Sequence, residues 1–228
     1  MNKNSAFRVA LLIGTLAVNA PQAMAFGIGN LTAAIPGVGG SSTSTVSGGD
    51  IDAFIKTAQD ADLMIGTATA HIFKAVGNSE DIAALEAREA AANTIADPAE
   101  KSAAIDRIRT DKATAVQKAL SSKDVQDKLQ SMNKAQLNAF GNAAFTFMLG
   151  VLKDKQLADG SRALVSGVAT NPVLLPRLAA LKDVASSVSA QASNTAKIGE
   201  GLVKLASAGK IAALPTSASE QPKEVKDM

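Results

Sequence analysis

One imidazole, His71, is all that the 228-residue sequence offers for proton transfer near neutral pH or for nitrogen ligation of a metal. A di-iron helical bundle needs two Glu-x-x-His pairs, and the turn before His71 carries Thr67 and Ala68 instead. On a helical wheel His71 projects away from the side on which Ile51, Ile55, Ile65, Ile72 and Phe73 gather, so it is expected to be an exposed surface histidine or a pH-sensitive contact. There is no Cys, which removes disulfides, thiolate metal sites, thiol nucleophiles and lipid attachment through sulfur. Serine chemistry has two Ser-x-x-Lys matches, Ser131–Lys134 and Ser207–Lys210, about as many as chance supplies. Neither the Ser-Asp-Asn nor the Lys-Thr-Gly companion is present, and no Gly-x-Ser-x-Gly elbow occurs.

The remaining groups are no more specific. Glu86 and Glu89 share a helix face and Asp52 follows Asp50, but neither set builds the Asp-x-Asp-x-Asp-Gly loop that wraps calcium. Gly27/Gly29, Gly37/Gly39/Gly40 and Gly199/Gly201 have neither the spacing nor the preceding strand of a phosphate cradle. Aromatic residues make up 3% of the chain, 7 Phe with no Tyr or Trp, which argues against a membrane β-barrel with aromatic girdles and against surfaces that stack bases or sugars. The expectation is therefore a non-enzyme with no catalytic residues, no cofactor and no metal site.

The elements that would position any functional surface begin after an address. Residues 1–25 open with Lys3 and Arg8, continue through a short apolar run over 9–18, break at Pro21 and end on Ala23-Met24-Ala25. This is the pattern of a secretory signal cleaved after Ala25, and its apolar run is about half of the ~20 residues that a spanning helix requires. The Ala-rich, Cys-free remainder favours a bacterial envelope, placing the mature chain in the periplasm or outside the cell. Without Lys3 and Arg8 the remainder has 21 basic and 21 acidic residues, so nothing in its net charge points to nucleic acid.

Residues 26–49 are uncharged and rich in Gly, Ser and Thr, with an apolar start at Phe26, Ile28, Leu31, Ile35 and Val38. They read as a flexible leader, either a plain tether or a segment that inserts into a partner or a membrane interface. Residues 50–208 read as an all-α bundle of roughly six helices, and no stretch alternates with the period of a strand. Asp50 is the expected cap of the first helix. Gly77-Asn78 ends it, and Ser79, Glu80 and Asp81 open the second. Asp97-Pro98-Ala99-Glu100 starts the third as a cap-proline-acid sequence, and Ser121 or Ser122 starts a short fourth. Asn133 with Gln136 begins the most apolar helix, expected to run to about residue 158 before Gly160 breaks it. Asn171-Pro172 is expected to start the last helix, whose seam runs through Leu174, Leu178, Leu181, Ala185, Val188, Ala192, Thr195, Gly199, Leu202 and Ala206. Residues 209–228, with two prolines and no periodicity, read as a disordered tail.

Charge is unevenly spread along these helices. Residues 50–100 hold ten acids and three bases, whereas residues 101–134 hold eight bases and four acids, as do residues 135–212. Such blocks either complement each other in the packed bundle or leave an acidic face for a cationic partner or Ca²⁺. Residues 184–196 carry no charge at all, and Val184, Ser187, Val188, Gln191, Ala192 and Thr195 are the candidate surface for a protein partner or for self-association. Phe140, Phe145, Phe147 and Met148 are the candidate lining of an inter-helix cavity for a lipid or another small apolar ligand. The leading expectation is an exported interaction protein of the bacterial envelope or extracellular space, and the alternative is a carrier of such a ligand.

Overall fold

The computed structural model describes residues 46–225; the expected signal segment and residues 26–45 of the leader lie outside the described residues. The helices are α1 (Gly48–Val76), α2 (Ser79–Asn93), α3 (Pro98–Ser121), α4 (Asp124–Ser131), α5 (Lys134–Ala169) and α6 (Leu178–Ser207), with one 3₁₀ turn at Leu175–Arg177. The architecture is all-α, six helices packed together, and the described residues contain no strand.

Local chemistry sets most of the helix ends. Asn133 and Gln136 form a reciprocal capping box at the start of α5, and Asp97 accepts a 2.8 Å hydrogen bond from the Glu100 N–H with Pro98 in the first turn of α3. The first helix starts earlier than its sequence suggests. Ser47, not Asp50, is the cap, and Asp50 is the third helical residue, whose carboxylate accepts back from the Ser47 N–H at 2.8 Å. Ser47 and its neighbour Val46 thus belong to the domain and not to the leader. α2 starts at Ser79 as its sequence suggests, with Glu80 and Asp81 in the first turn and Asn78 as the cap, accepting from the Asp81 N–H at 2.7 Å. α6 ends in a left-handed Gly209 (φ 67°), with the Lys210 N–H on the Leu205 carbonyl at 2.9 Å and the Gly209 N–H on the Ala206 carbonyl at 2.9 Å. Glycine adopts this conformation without steric cost, and the pair of bonds satisfies carbonyls the helix leaves open.

α5 packs along both α1 and α6, α3 closes over α1 and α6, and α2 lies on α3. The interior divides in two. One cluster joins Ile65, Ile72, Phe73 and Val76 of α1 to Phe140, Ala144 and Phe147 of α5, Ile198, Leu202 and Leu205 of α6, and residues of α2, α3 and α4. The second joins Ile51, Phe54 and Ala58 of α1 to Leu157, Leu164 and Val168 of α5 and Leu181 and Val188 of α6. The acidic front helices meet the basic later ones at the rims: Arg109 pairs with Asp62 at 3.3 Å, Lys112 with Glu89 at 2.6 Å, and Arg177 with Asp52. The Arg177 hydrogen bond holds Asp52 below the usual carboxylate range, but pairs this exposed contribute little each.

Three further sequence expectations fail, each because tertiary packing outweighs a local signal. Gly160 does not break α5, which continues to Ala169; the side chains of Leu157, Leu164 and Val168 on either side bury in the second cluster and outweigh the roughly 1 kcal/mol that glycine costs a helix. Asn171-Pro172 does not start the last helix, because residues 172–177 form turns and α6 begins at Leu178, beyond Pro176. The residues past 208 are not a disordered tail over the described part. They carry no regular structure, yet Ile211 and Pro215 are buried and Val225 packs on the first cluster. Asn142 and Thr146 donate to the carbonyls of Glu224 and Lys223 at 2.9 and 3.0 Å, and the Glu220 carboxylate accepts from the Thr216 and Ser217 N–H groups. Extended chain shows no periodicity, so its apolar anchors are invisible to a helical or strand template.

Lys128 of α4 ties two elements together by placing its ammonium on the carbonyls of Val76 and Gly77 at 2.8 and 2.7 Å. A cation there meets the open acceptors and the negative end of the α1 dipole. Lys128→Ala is expected to lower stability by about 1–2 kcal/mol. Urea unfolding followed by far-UV circular dichroism measures it, and an unchanged midpoint would remove this role.

Candidate functional site

The connection between α5 and α6 presents an apolar tip on a fixed backbone. Asn171 accepts from the Val173 N–H through its side chain at 3.1 Å and from the Leu174 N–H through its carbonyl at 3.0 Å. The Arg177 N–H then donates to the Leu174 carbonyl at 2.9 Å. Leu174 anchors the loop in the second cluster. Asn171 also reaches the Val46 carbonyl at 3.5 Å, and the Arg177 guanidinium binds the Gly48 carbonyl at 3.0 Å and Asp52. The chain therefore enters α1 beside this loop. Held by these bonds, Val173 is 83% exposed and Leu175 47% exposed, with Pro172 and Pro176 open beside them. Leu63 and Val203, also exposed, stand singly on α1 and α6. Two large apolar side chains pinned in solvent within three residues are a feature that packing does not require.

A polar layer crosses the bundle between the two core clusters. On α1 it occupies Ala61 and Asp62, between Ala58 and Ile65; on α6 it occupies Gln191, Ala192 and Thr195, between Val188 and Ile198. On α5 it holds Lys153 and Asp154, between Val151 and Leu157. Asp62 accepts from Arg109 of α3 and from Gln191 of α6, each at 3.3 Å. Lys153 is buried, and desolvation lowers its pKa against the opposing pull of Asp60. Asp154 is fully buried, and neither of its carboxylate oxygens has a hydrogen-bond partner among the described residues. Burial, helped by the negative charge of Asp62, raises its pKa to about 7.

The residues singled out from the sequence fall into different environments. Val188 and Thr195 are buried in the bundle itself, with the Thr195 hydroxyl on the Gln191 carbonyl at 2.9 Å. Val184, Gln191 and Ala192 are half-buried, and Ser187 is exposed, so the six do not form one open surface. Phe140 and Phe147 are fully buried in the first cluster and Met148 packs at its margin. Phe145 belongs to neither cluster and lies under the Lys223 ammonium, 4.1 Å from the ring centre. The four therefore do not line a common space. His71 is half-buried, not exposed, and its Nδ1 is shielded from solvent with no hydrogen-bond partner among the described residues. No group of three or more metal-ligating side chains occurs among the described residues, and none of their helices is long and apolar enough to cross a membrane.

Sequence reasoning missed both Asp154 and the tip. Asp154 had a signal, since Phe140, Phe147 and Asp154 recur every seven residues and share one face of α5. The tip had none, because a loop residue's exposure depends on partners more than a hundred positions away. No family model matches the chain, and neither a curated protein nor a solved structure matches it.

Proposed function

We propose that the chain is an exported, non-enzymatic interaction protein of the bacterial envelope or extracellular space, which binds a protein partner through the tip around Val173 and Leu175. The observation that carries this reading is the rigid presentation of two apolar side chains to solvent, beside Val46 and Gly48 at the start of α1. Ordering the loop in advance lowers the entropy lost on binding, and apolar side chains in such a patch supply the driving force. Export follows from the address pattern of residues 1–25.

Replacing both side chains, Val173→Ser with Leu175→Ser, is expected to reduce recovery of partners from the source envelope at least tenfold while leaving the unfolding midpoint unchanged. Recovery of the same proteins by the double variant would overturn the assignment of the tip. Deleting residues 26–45, which spares Val46 and the Ser47 cap, shows separately whether the leader contributes. Fractionation of the intact source cell checks export, and retention of the chain in the cytoplasm with residues 1–25 uncleaved would refute it.

A further inference from the structure

We propose that Asp154 is a proton-binding site that couples pH to the packing of α6 against α1 and α5. The closed bundle holds Asp154 as the neutral acid, and loss of its proton loosens the layer between the two core clusters. The geometry carries the argument. A carboxylate with both oxygens buried and unpartnered among the described residues has lost its water and gained nothing in exchange, which the charged form tolerates poorly.

The surrounding charges do not rescue it. From α1 it faces Asp62, a like charge, and the cations that neutralise this part of the layer are directed elsewhere: Arg109 of α3 binds Asp62, and adjacent Lys153 is set against Asp60 of α1. From α6 the polar groups of the layer are Gln191, whose amide donates to Asp62, and Thr195, whose hydroxyl donates to the Gln191 carbonyl. Ionised Asp154 is therefore left with two outcomes, to stay charged without a partner or to admit water. Above the layer α1 and α5 touch so closely that a Cβ on Gly150 would lie 2.7 Å from Ile65 Cγ1, which closes that side, and the proposal places the entry of water where α6 parts from its neighbours.

The direction of the pH dependence follows from linkage. The folded state keeps the Asp154 proton up to about pH 7, whereas the unfolded chain releases it near 3.8. Its contribution to stability is complete below about pH 4, declines through the interval, and is gone above about pH 7. Asp52 and Glu220, whose pKa values are lowered, act in the opposite sense at the acid end, so the wild type must be read against a variant.

The test uses the full chain and Asp154→Asn, with Asp154→Leu as a second variant should the amide fail to fold. Unfolding midpoints in urea are measured from pH 4.5 to 8.5, with hydrogen exchange of the amides flanking Asp154 and Gln191 corrected for intrinsic rate. Wild type is expected to lose stability relative to either variant as pH rises to 7. It is also expected to lose at least tenfold protection at those amides between pH 5 and pH 8, with both effects absent in the variants. Carbon-13 titration of the Asp154 carboxyl in wild type gives a direct reading should neither variant fold. A variant with the wild-type pH slope, unchanged protection in wild type, or half-protonation of Asp154 below pH 5 would overturn the proposal.

Discussion

Truncating Phe147 to alanine is expected to lower the unfolding free energy by about 3–5 kcal/mol, one of the two largest single effects foreseen in this chain. The ring is fully buried in the first cluster with Phe140 and Ala144 from its own helix and residues of α1 and α6 around it. Helices held by several partners cannot collapse into the gap, so the loss of transfer energy is joined by the cost of a cavity. Phe145→Ala is the comparison. That ring lies beneath the C-terminal segment, against Lys223, and an extended segment can settle into the space, so a cost nearer 2 kcal/mol is expected. Urea unfolding followed by circular dichroism suits both, since the chain has no Tyr or Trp to report by fluorescence. A cost below about 1 kcal/mol for Phe147→Ala would mean that the space around it is loosely filled, as a ligand cavity would be.

Gly150→Val is expected to be nearly as damaging, at about 3 kcal/mol, for the opposite reason. A Cβ there would meet Ile65 Cγ1 at 2.7 Å and the Ala61 carbonyl oxygen at 3.1 Å, so α1 and α5 must separate or the backbone must shift. A β-branched side chain has little rotamer freedom with which to escape. Gly66 on the facing helix is the internal control. Nothing lies within 4 Å of its added Cβ, and Gly66→Ala should raise stability by about 0.5–1 kcal/mol through helix propensity. If the two substitutions moved stability in the same direction, the close approach at Gly150 would not be what sets the spacing of α1 and α5.

Much of the helix inventory was legible because its signals are short-ranged. Asn133–Gln136 and Asp97-Pro98 act within four residues, and the structure keeps both starts. The α6 seam was legible for the same reason: Leu181, Val188, Thr195, Gly199 and Leu202 are buried as their spacing predicts, and Ile198 and Leu205 join them. Signals that another part of the chain could overrule misled. Gly160 sits in a helix whose flanking side chains bury, Pro172 is held in turns by Asn171 and Arg177, and residues past 208 are held by Asn142 and Thr146 on α5.

The candidate sites divide along the same line. Composition and spacing by themselves determined that the chain would be helical, where most helices would begin, and that thiol chemistry is closed to it, because those properties reside in single residues or adjacent turns. Only the tertiary structure decided that Asp154 would be sealed away without a partner, that Asp62 would draw both Arg109 and Gln191, and that Val173 and Leu175 would stand in solvent on a loop braced against α1. Burial and electrostatics are properties of which faces meet. That choice is made by the summed packing of two clusters whose members lie far apart in the chain, not by any local pattern.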